Sequence, residues 1–204
     1  MNPPNTITLE APARIGPNAV LQLIATLKSR GFGRRVESLF AAAAVPDWLM
    51  SPPVDMIDET GVARLHRTVR GALTEEDAQD VMAEAGRRTA DYLLANRIPK
   101  PAQTLLRFLP ARLAAEILVR AIRANAWTFA GSARFTAKAG SPTVFTLQGN
   151  PLCSGEIAAA PVCAWHAAVF ERLFQVLVSP RCRARETHCE AAGDPFCRFE
   201  VAWR

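Results

Sequence analysis

No apolar run in this chain reaches the roughly 18–20 uncharged residues needed to cross a bilayer, so an integral membrane protein is not expected. The first residues, Met1-Asn2-Pro3-Pro4-Asn5-Thr6, lack a basic stretch followed by an apolar one, so they do not read as a secretory leader. The chain also has no internal repeat and no low-complexity segment. No Gly-x-Gly-x-x-Gly opens a helix after a strand, which removes the usual cradle for a nicotinamide or flavin dinucleotide. Gly31-Phe32-Gly33 comes nearest, but it follows a helical stretch and lacks the third glycine. These absences leave a cytoplasmic protein as the expectation. Five cysteines in that compartment stay reduced and point to metal binding or catalysis more than to disulfides.

What is present supports a folded core. The chain has 204 residues, of which 50% are hydrophobic and 21% charged, a balance that argues against disorder. Its net charge is +5, and much of the excess lies on arginines scattered along helices, such as Arg112, Arg120 and Arg123. Scattered arginines read as a solvated face. The tightest basic cluster, Lys28 to Arg35, contains two glycines and reads as a loop between helices, so nucleic acid is not an expected partner.

Periodicity divides the chain in two. Val20, Leu21, Leu23, Ile24 and Leu27 predict a first helix ending near Gly31, and a short helix follows through Val36, Leu39 and Phe40. Helices are further predicted over 59–73, from Thr74 to about Asn96, and over 110–124, with Ile98-Pro99-Lys100-Pro101 as a break. After residue 132 the pattern becomes β-branched and aromatic. Residues 133–138 and 143–148 predict a hairpin, 161–178 a largely uncharged helix, and 181–190 and 196–203 two final strands. The fold class is therefore α+β, a helical N-terminal half followed by a ββαββ antiparallel-sheet domain, with residues 1–72 as a helical extension and 73–204 as the main domain.

The last hairpin carries most of the metal-binding chemistry. Gly193 centres the turn, so Cys189 and Cys197 lie opposite each other. Cys197, Phe199, Val201 and Trp203 share one face of the last strand, which must be the core face. Strict alternation on the partner strand would turn Arg183 and Arg185 into that core. One extra residue between Glu186 and Cys189, a β-bulge, turns the arginines out and aims Glu186 and Cys189 to one side. Cys163, near the start of the apolar helix packed on this face, can join them. Three thiolates and one carboxylate form a closed set suited to Zn²⁺. His188 and His166 compete with Glu186 for the fourth place, and small buried cysteines with Glu186 paired to an arginine remain the plain alternative.

Cys163, Glu186, Cys189 and Cys197, within Glu-Thr-His-Cys-Glu-Ala-Ala-Gly-Asp-Pro-Phe-Cys-Arg-Phe, resemble the signature of the 4-vinyl reductase domain family. The resemblance covers about residues 73–204. It implies a structural zinc held by Cys163, Glu186, Cys189 and Cys197, and so chooses Glu186 over the histidines. Further segments, Ala13 to Ala19, Thr89 to Leu94, Ala126 to Ser132 and Asn150 to Cys153, are similar to family members of the bacteriochlorophyll pathway of purple bacteria, which are named as 4-vinyl or divinyl 8-vinyl reductases.

Reduction of a vinyl group needs a hydride donor, and the sequence offers no site for one. A zinc closed by four protein ligands supplies neither electrons nor an open coordination position. Binding and delivery of a magnesium tetrapyrrole, such as a Mg-porphyrin or chlorophyllide, to the pathway enzymes is the preferred expectation. The alternatives are a vinyl reductase using a partner-held reductant and a ligand-sensing domain, the latter disfavoured because the sequence stops directly after the last strand. A flat apolar disc needs aromatic walls, a basic group at the mouth and an axial ligand. Trp127, Phe129, Trp165, His166 and Arg134 are the candidates, each with an ordinary core or surface role as its competitor. Homodimerisation and contact with the photosynthetic membrane surface are left open.

Overall fold

A computed structural model describes residues 13–203. The leader read from Met1 to Thr6 lies outside the described residues. The element order is β1 (Arg14–Ile15), α1 (Asn18–Ser29), α2 (Val36–Ala42), α3 (Asp47–Met50), β2 (Ile57–Asp58), α4 (Glu59–Ala72), α5 (Glu75–Asn96), α6 (Lys100–Phe108), α7 (Ala111–Ala124), β3 (Arg134–Lys138), β4 (Thr143–Gln148), α8 (Ala164–Leu177), β5 (Arg183–His188) and β6 (Cys197–Ala202). The expected α+β architecture is present.

Local signals explain most boundaries. The Thr74 side chain accepts a hydrogen bond from the Asp77 backbone N–H at 3.2 Å, and Glu75, Glu76 and Asp77 occupy the positive end of α5. The Asp58 carboxylate caps α4 by accepting from the Thr60 N–H at 2.8 Å. One element departs from expectation. Residues 100–108 form α6, where the proline-rich stretch predicts only a break. Pro101 sits in the first turn, where its missing N–H costs nothing and its fixed φ suits the helix, so Lys100-Pro101 starts a helix as well as ending one. Helix α8 begins at Ala164 and not at Pro161, because the Cys163 N–H is taken by the Glu186 carboxylate at 2.7 Å.

Strands β3, β4, β6 and β5 form an antiparallel sheet in that order, and β1 pairs with β2 in a separate two-stranded ribbon. Between β5 and β6 the register runs Glu186 opposite Phe199 and then His188 opposite Arg198. Thr187 is the extra residue, so the bulge expected from strand parity is present. It leaves Ala184 and Glu186 on the core face and Arg183 and Arg185 exposed.

The inner face of the sheet packs on α8. Phe145 on β4 stacks on Phe170 of α8 with centroids 4.2 Å apart and also meets Phe135 and Phe174. Helix α8 lies in turn on α5, and one continuous buried core links α1, α2, α4, α5, α7, α8 and the sheet. Gly86 permits the α5–α8 crossing, since a Cβ there would lie 2.3 Å from the Trp165 carbonyl oxygen. Backbone cannot yield as a side-chain tip can. Gly86→Ala is expected to lower stability by about 1–3 kcal/mol through overpacking, as measured by denaturant unfolding.

Candidate functional site

The four sulfurs of Cys153, Cys163, Cys189 and Cys197 lie within 4.8 Å of one another, and all four residues are buried. Each arrives from a different element. Asn150 caps a short 3-10 turn over Pro151–Cys153, its side-chain oxygen accepting from the Leu152 N–H at 3.2 Å, and this turn delivers Cys153. Cys163 precedes the first turn of α8. Cys189 follows β5, carried to the level of Cys197 by the bulge. Its N–H donates to the Asp194 carboxylate at 2.8 Å, while Gly193, at φ +93°, turns the chain back toward Cys197 on β6.

The spacings match a tetrahedral thiolate site. With Zn–S near 2.3 Å, the edge of a sulfur tetrahedron is about 3.8 Å. The observed separations are 3.5 Å for Cys153–Cys197, 3.8 Å for Cys163–Cys197 and 3.9 Å for Cys163–Cys189, well beyond a disulfide bond. The donors aimed at the sulfurs are neutral: the Asn150 amide reaches Cys163 at 3.2 Å and the Glu190 N–H reaches Cys197 at 3.5 Å. Hydrogen bonds from Cys153, Cys163 and Cys197 hold the Cys189 thiol well below its ordinary pKa, and Cys197 is lowered by Cys153 and Cys163. The same contacts, with burial, raise Cys163. A buried cluster that favours thiolates, without an arginine or lysine hydrogen-bonded to a sulfur among the described residues, suits a soft divalent cation.

Three of the four metal candidates read from the sequence, Cys163, Cys189 and Cys197, thus come together. Glu186 stands beside them, but the fourth corner of the sulfur set is Cys153. One Glu186 oxygen is held by the Cys163 N–H, and the other is buried with no hydrogen-bond partner. Burial first, then the neighbouring Cys189 charge, raises the Glu186 pKa to about 9. Cys153 was missed because it has no pattern relative to the other cysteines, and its approach depends on a turn folded back from β4. The Asn150-Pro151 pair, a cap followed by a first-turn proline, was the available signal. Cys182 is buried apart from the cluster, and burial lifts its pKa to about 11.

Two arginines of α4 tie that turn down. Arg70 forms a largely buried ion pair with Glu156, and its guanidinium also donates to the Leu152 carbonyl at 2.6 Å. Arg67 donates to the Ser154 and Gly155 carbonyls at 3.3 and 3.0 Å. Helix α4 therefore positions Cys153.

Next to the cysteines lies a buried aromatic group around His166. Its ring is 5.0 Å from Trp165, 5.6 Å from Phe199, 6.2 Å from Phe129 and 6.4 Å from Phe170. Both His166 nitrogens and the Trp165 indole N–H lack hydrogen-bond partners. His66, which carries no role in the sequence reading, meets Trp165 edge-on at 6.4 Å. Its Nε2 contacts the Ala19 carbonyl at 2.9 Å, and its Nδ1 is unpartnered. Burial, followed by nearby positive groups, lowers both imidazoles to about 3, so both are neutral with ligating lone pairs available. His188 is elsewhere, packed on Phe196 at 5.5 Å.

Of the proposed pocket residues, Phe129, Trp165 and His166 converge. Trp127 does not, being 62% exposed after α7. Arg134 also stays apart. It is exposed, one residue before the inward-facing Phe135, so strand alternation directs it to the opposite face of the sheet. Phe129, half-buried, covers the outer side of the cluster. Two surface crevices, about 660 Å³ lined from within residues 31–35 and 71–77 and about 320 Å³ between Arg70 and Val162, are lined by none of these five.

The family model of the 4-vinyl reductase domain matches residues 143–202, the segment holding all four clustered cysteines. The chain is 49% identical over 188 residues to the bacteriochlorophyll synthase 23 kDa chain of Cereibacter sphaeroides, covering 92% of this chain and 90% of that one. It is 41% identical over 189 residues to the protein of the same description from Rhodobacter capsulatus, covering 91% and 85%. Among solved structures, an H-NOX protein from K. algicida matches with a TM-score of 0.59 at 8% identity over 92% of this chain and 96% of that one. The phenol-responsive sensory domain of the transcription activator PoxR matches with a TM-score of 0.51 at 16% identity, covering 71% and 74%. At such identities these two likenesses concern the fold alone.

Proposed function

This chain belongs to the family of the bacteriochlorophyll synthase 23 kDa chain, and from that premise we propose that it serves bacteriochlorophyll biosynthesis by binding a magnesium tetrapyrrole and delivering it to pathway enzymes. The observation that carries this reading is His166, a fully buried neutral imidazole with two unpartnered nitrogens inside an aromatic wall. A buried polar group without a partner is costly, and a ligand that supplies one removes the cost. The tetrapyrrole magnesium is a suitable acceptor for a histidine nitrogen, and Phe129, Trp165, Phe170 and Phe199 suit the ring faces. Entry requires Phe129 to move aside.

The four-cysteine cluster has a separate, structural part in the proposal. It holds Zn²⁺ through Cys153, Cys163, Cys189 and Cys197 and fastens the turn after β4, the start of α8 and the last hairpin together. When bound, the ion supplies cross-linking of these segments, with all four positions taken by protein sulfur.

The test uses the purified full chain with divinyl chlorophyllide, with and without NADPH. Pigment binding with a shifted absorption band and no monovinyl product is expected. His166→Ala is expected to weaken that binding about tenfold or more while leaving the fold intact by circular dichroism, the loss being at least that seen when a metal ligand's support is removed. NADPH-dependent turnover by the isolated protein overturns the carrier reading in favour of a vinyl reductase.

A further inference from the structure

Helices α6 and α7 turn large apolar side chains away from the core. On α6 the buried residues are Gln103 and Leu106, and the opposite face carries Leu105 and Phe108, 59% and 85% exposed. On α7 the buried residues are Ala114, Ala115, Leu118, Val119 and Ile122. Helical spacing puts Leu113, Ile117, Arg120 and Ala124 on the line directly opposite, with Leu113 48% and Ile117 43% exposed. An ordinary surface helix would place polar residues there.

The charge around this face has one sign. Between Asp91 and Glu156 the only acidic residue is Glu116, against eight lysines and arginines. Arg112, 89% exposed at its side chain, is 3.9 Å from Glu116, and Arg120 and Arg123 form no ion pair among the described residues. The region from 92 to 155 therefore carries more positive charge than the whole chain's +5.

We propose that the outer face of α6 and α7 docks this protein on an anionic lipid bilayer, with Leu105, Phe108, Leu113 and Ile117 entering the interface and Arg112, Arg120 and Arg123 meeting the headgroups. Apolar side chains beside unpaired arginines are the composition of a helix lying in the membrane plane. A two-fold dimer through this face would bring the same arginines of two copies together, which like-charge repulsion opposes. The docking face is separate from the aromatic group around His166, so it stands independently of pigment binding.

Flotation of the full chain with vesicles tests it. Binding is expected to phosphatidylglycerol–phosphatidylcholine vesicles, to weaken with salt, and to be absent from pure phosphatidylcholine. Leu113→Ser/Ile117→Ser and Arg112→Glu/Arg120→Glu are each expected to reduce partitioning about tenfold or more with an unchanged melting temperature, since every residue altered is exposed. Lys28→Glu/Arg34→Glu, the same charge change on α1 and its following turn, is expected to retain most of the binding. Failure to bind the anionic vesicles, equal loss in the Lys28/Arg34 variant, or a solution dimer that Leu113→Ser/Ile117→Ser dissolves would overturn the proposal, the last by assigning the face to a second copy of the chain.

Discussion

Replacing Cys153 with serine is expected to strip most of the zinc from a protein that otherwise carries it near stoichiometrically. Cys153 is one of four sulfurs within 4.8 Å and touches Cys197 at 3.5 Å, so its loss leaves three thiolates and an alcohol, a much poorer ligand for a soft cation. Structural zinc in small domains contributes on the order of 10–16 kcal/mol at neutral pH, as much as the whole stability of an ordinary domain at about 5–15 kcal/mol. Chelation of the wild type should therefore lower its melting temperature by more than about 10 °C, and Cys153→Ser should melt close to the chelated protein. Glu186→Gln is the companion measurement. With four sulfurs as the ligands, it should retain zinc, because the Glu186 carboxylate is engaged by the Cys163 N–H. The reverse outcome, zinc kept without Cys153 and lost without Glu186, would restore the carboxylate-containing set implied by the family signature. A metal-free, fully folded wild type would remove the zinc proposal altogether.

Arg70→Met should destabilise the fold by about 3–5 kcal/mol, the usual consequence of breaking a buried ion pair from one side. The change leaves the Glu156 carboxylate, 13% exposed, without its partner and removes the donor to the Leu152 carbonyl. Both groups belong to the segment that carries Cys153, so metal exchange should quicken as well. Arg70→Met/Glu156→Leu should recover much of the lost stability, because replacing a whole buried pair with apolar residues is often neutral. Denaturant unfolding of the two variants measures both numbers. Equal stability of Arg70→Met and wild type would show that α4 does not hold the turn.

Much of the fold was legible because the relevant signals are local. Thr74 followed by three acids starts α5, and the apolar spacing of residues 20–27 makes α1. Strand parity even predicted the bulge, since only an inserted residue keeps Arg183 and Arg185 out of the core while Phe199 and Val201 face in. Helix α6 was hidden because Lys100-Pro101 reads equally as a stop and as a first turn. The candidate site was legible where its members share a hairpin or the helix packed on it, as Cys163, Cys189 and Cys197 do.

The remainder depended on long-range contacts. Cys153 enters the cluster through a turn that Arg67 and Arg70 fasten from more than 80 positions upstream in the chain. Trp127 and Phe129, two residues apart, reach opposite fates, one at the surface and one on His166, because a short 3-10 turn separates their directions. His66 looked like a single polar residue on a helix, and only the α4 packing sets its ring against Trp165. By itself, the sequence determined the α+β class, the hairpin with its bulge and three of the four clustered cysteines, all consequences of periodicity and turn chemistry. Tertiary structure decided the fourth sulfur, the buried histidines and the outward apolar face of α6 and α7, because burial belongs to the packed chain and not to any local run of residues.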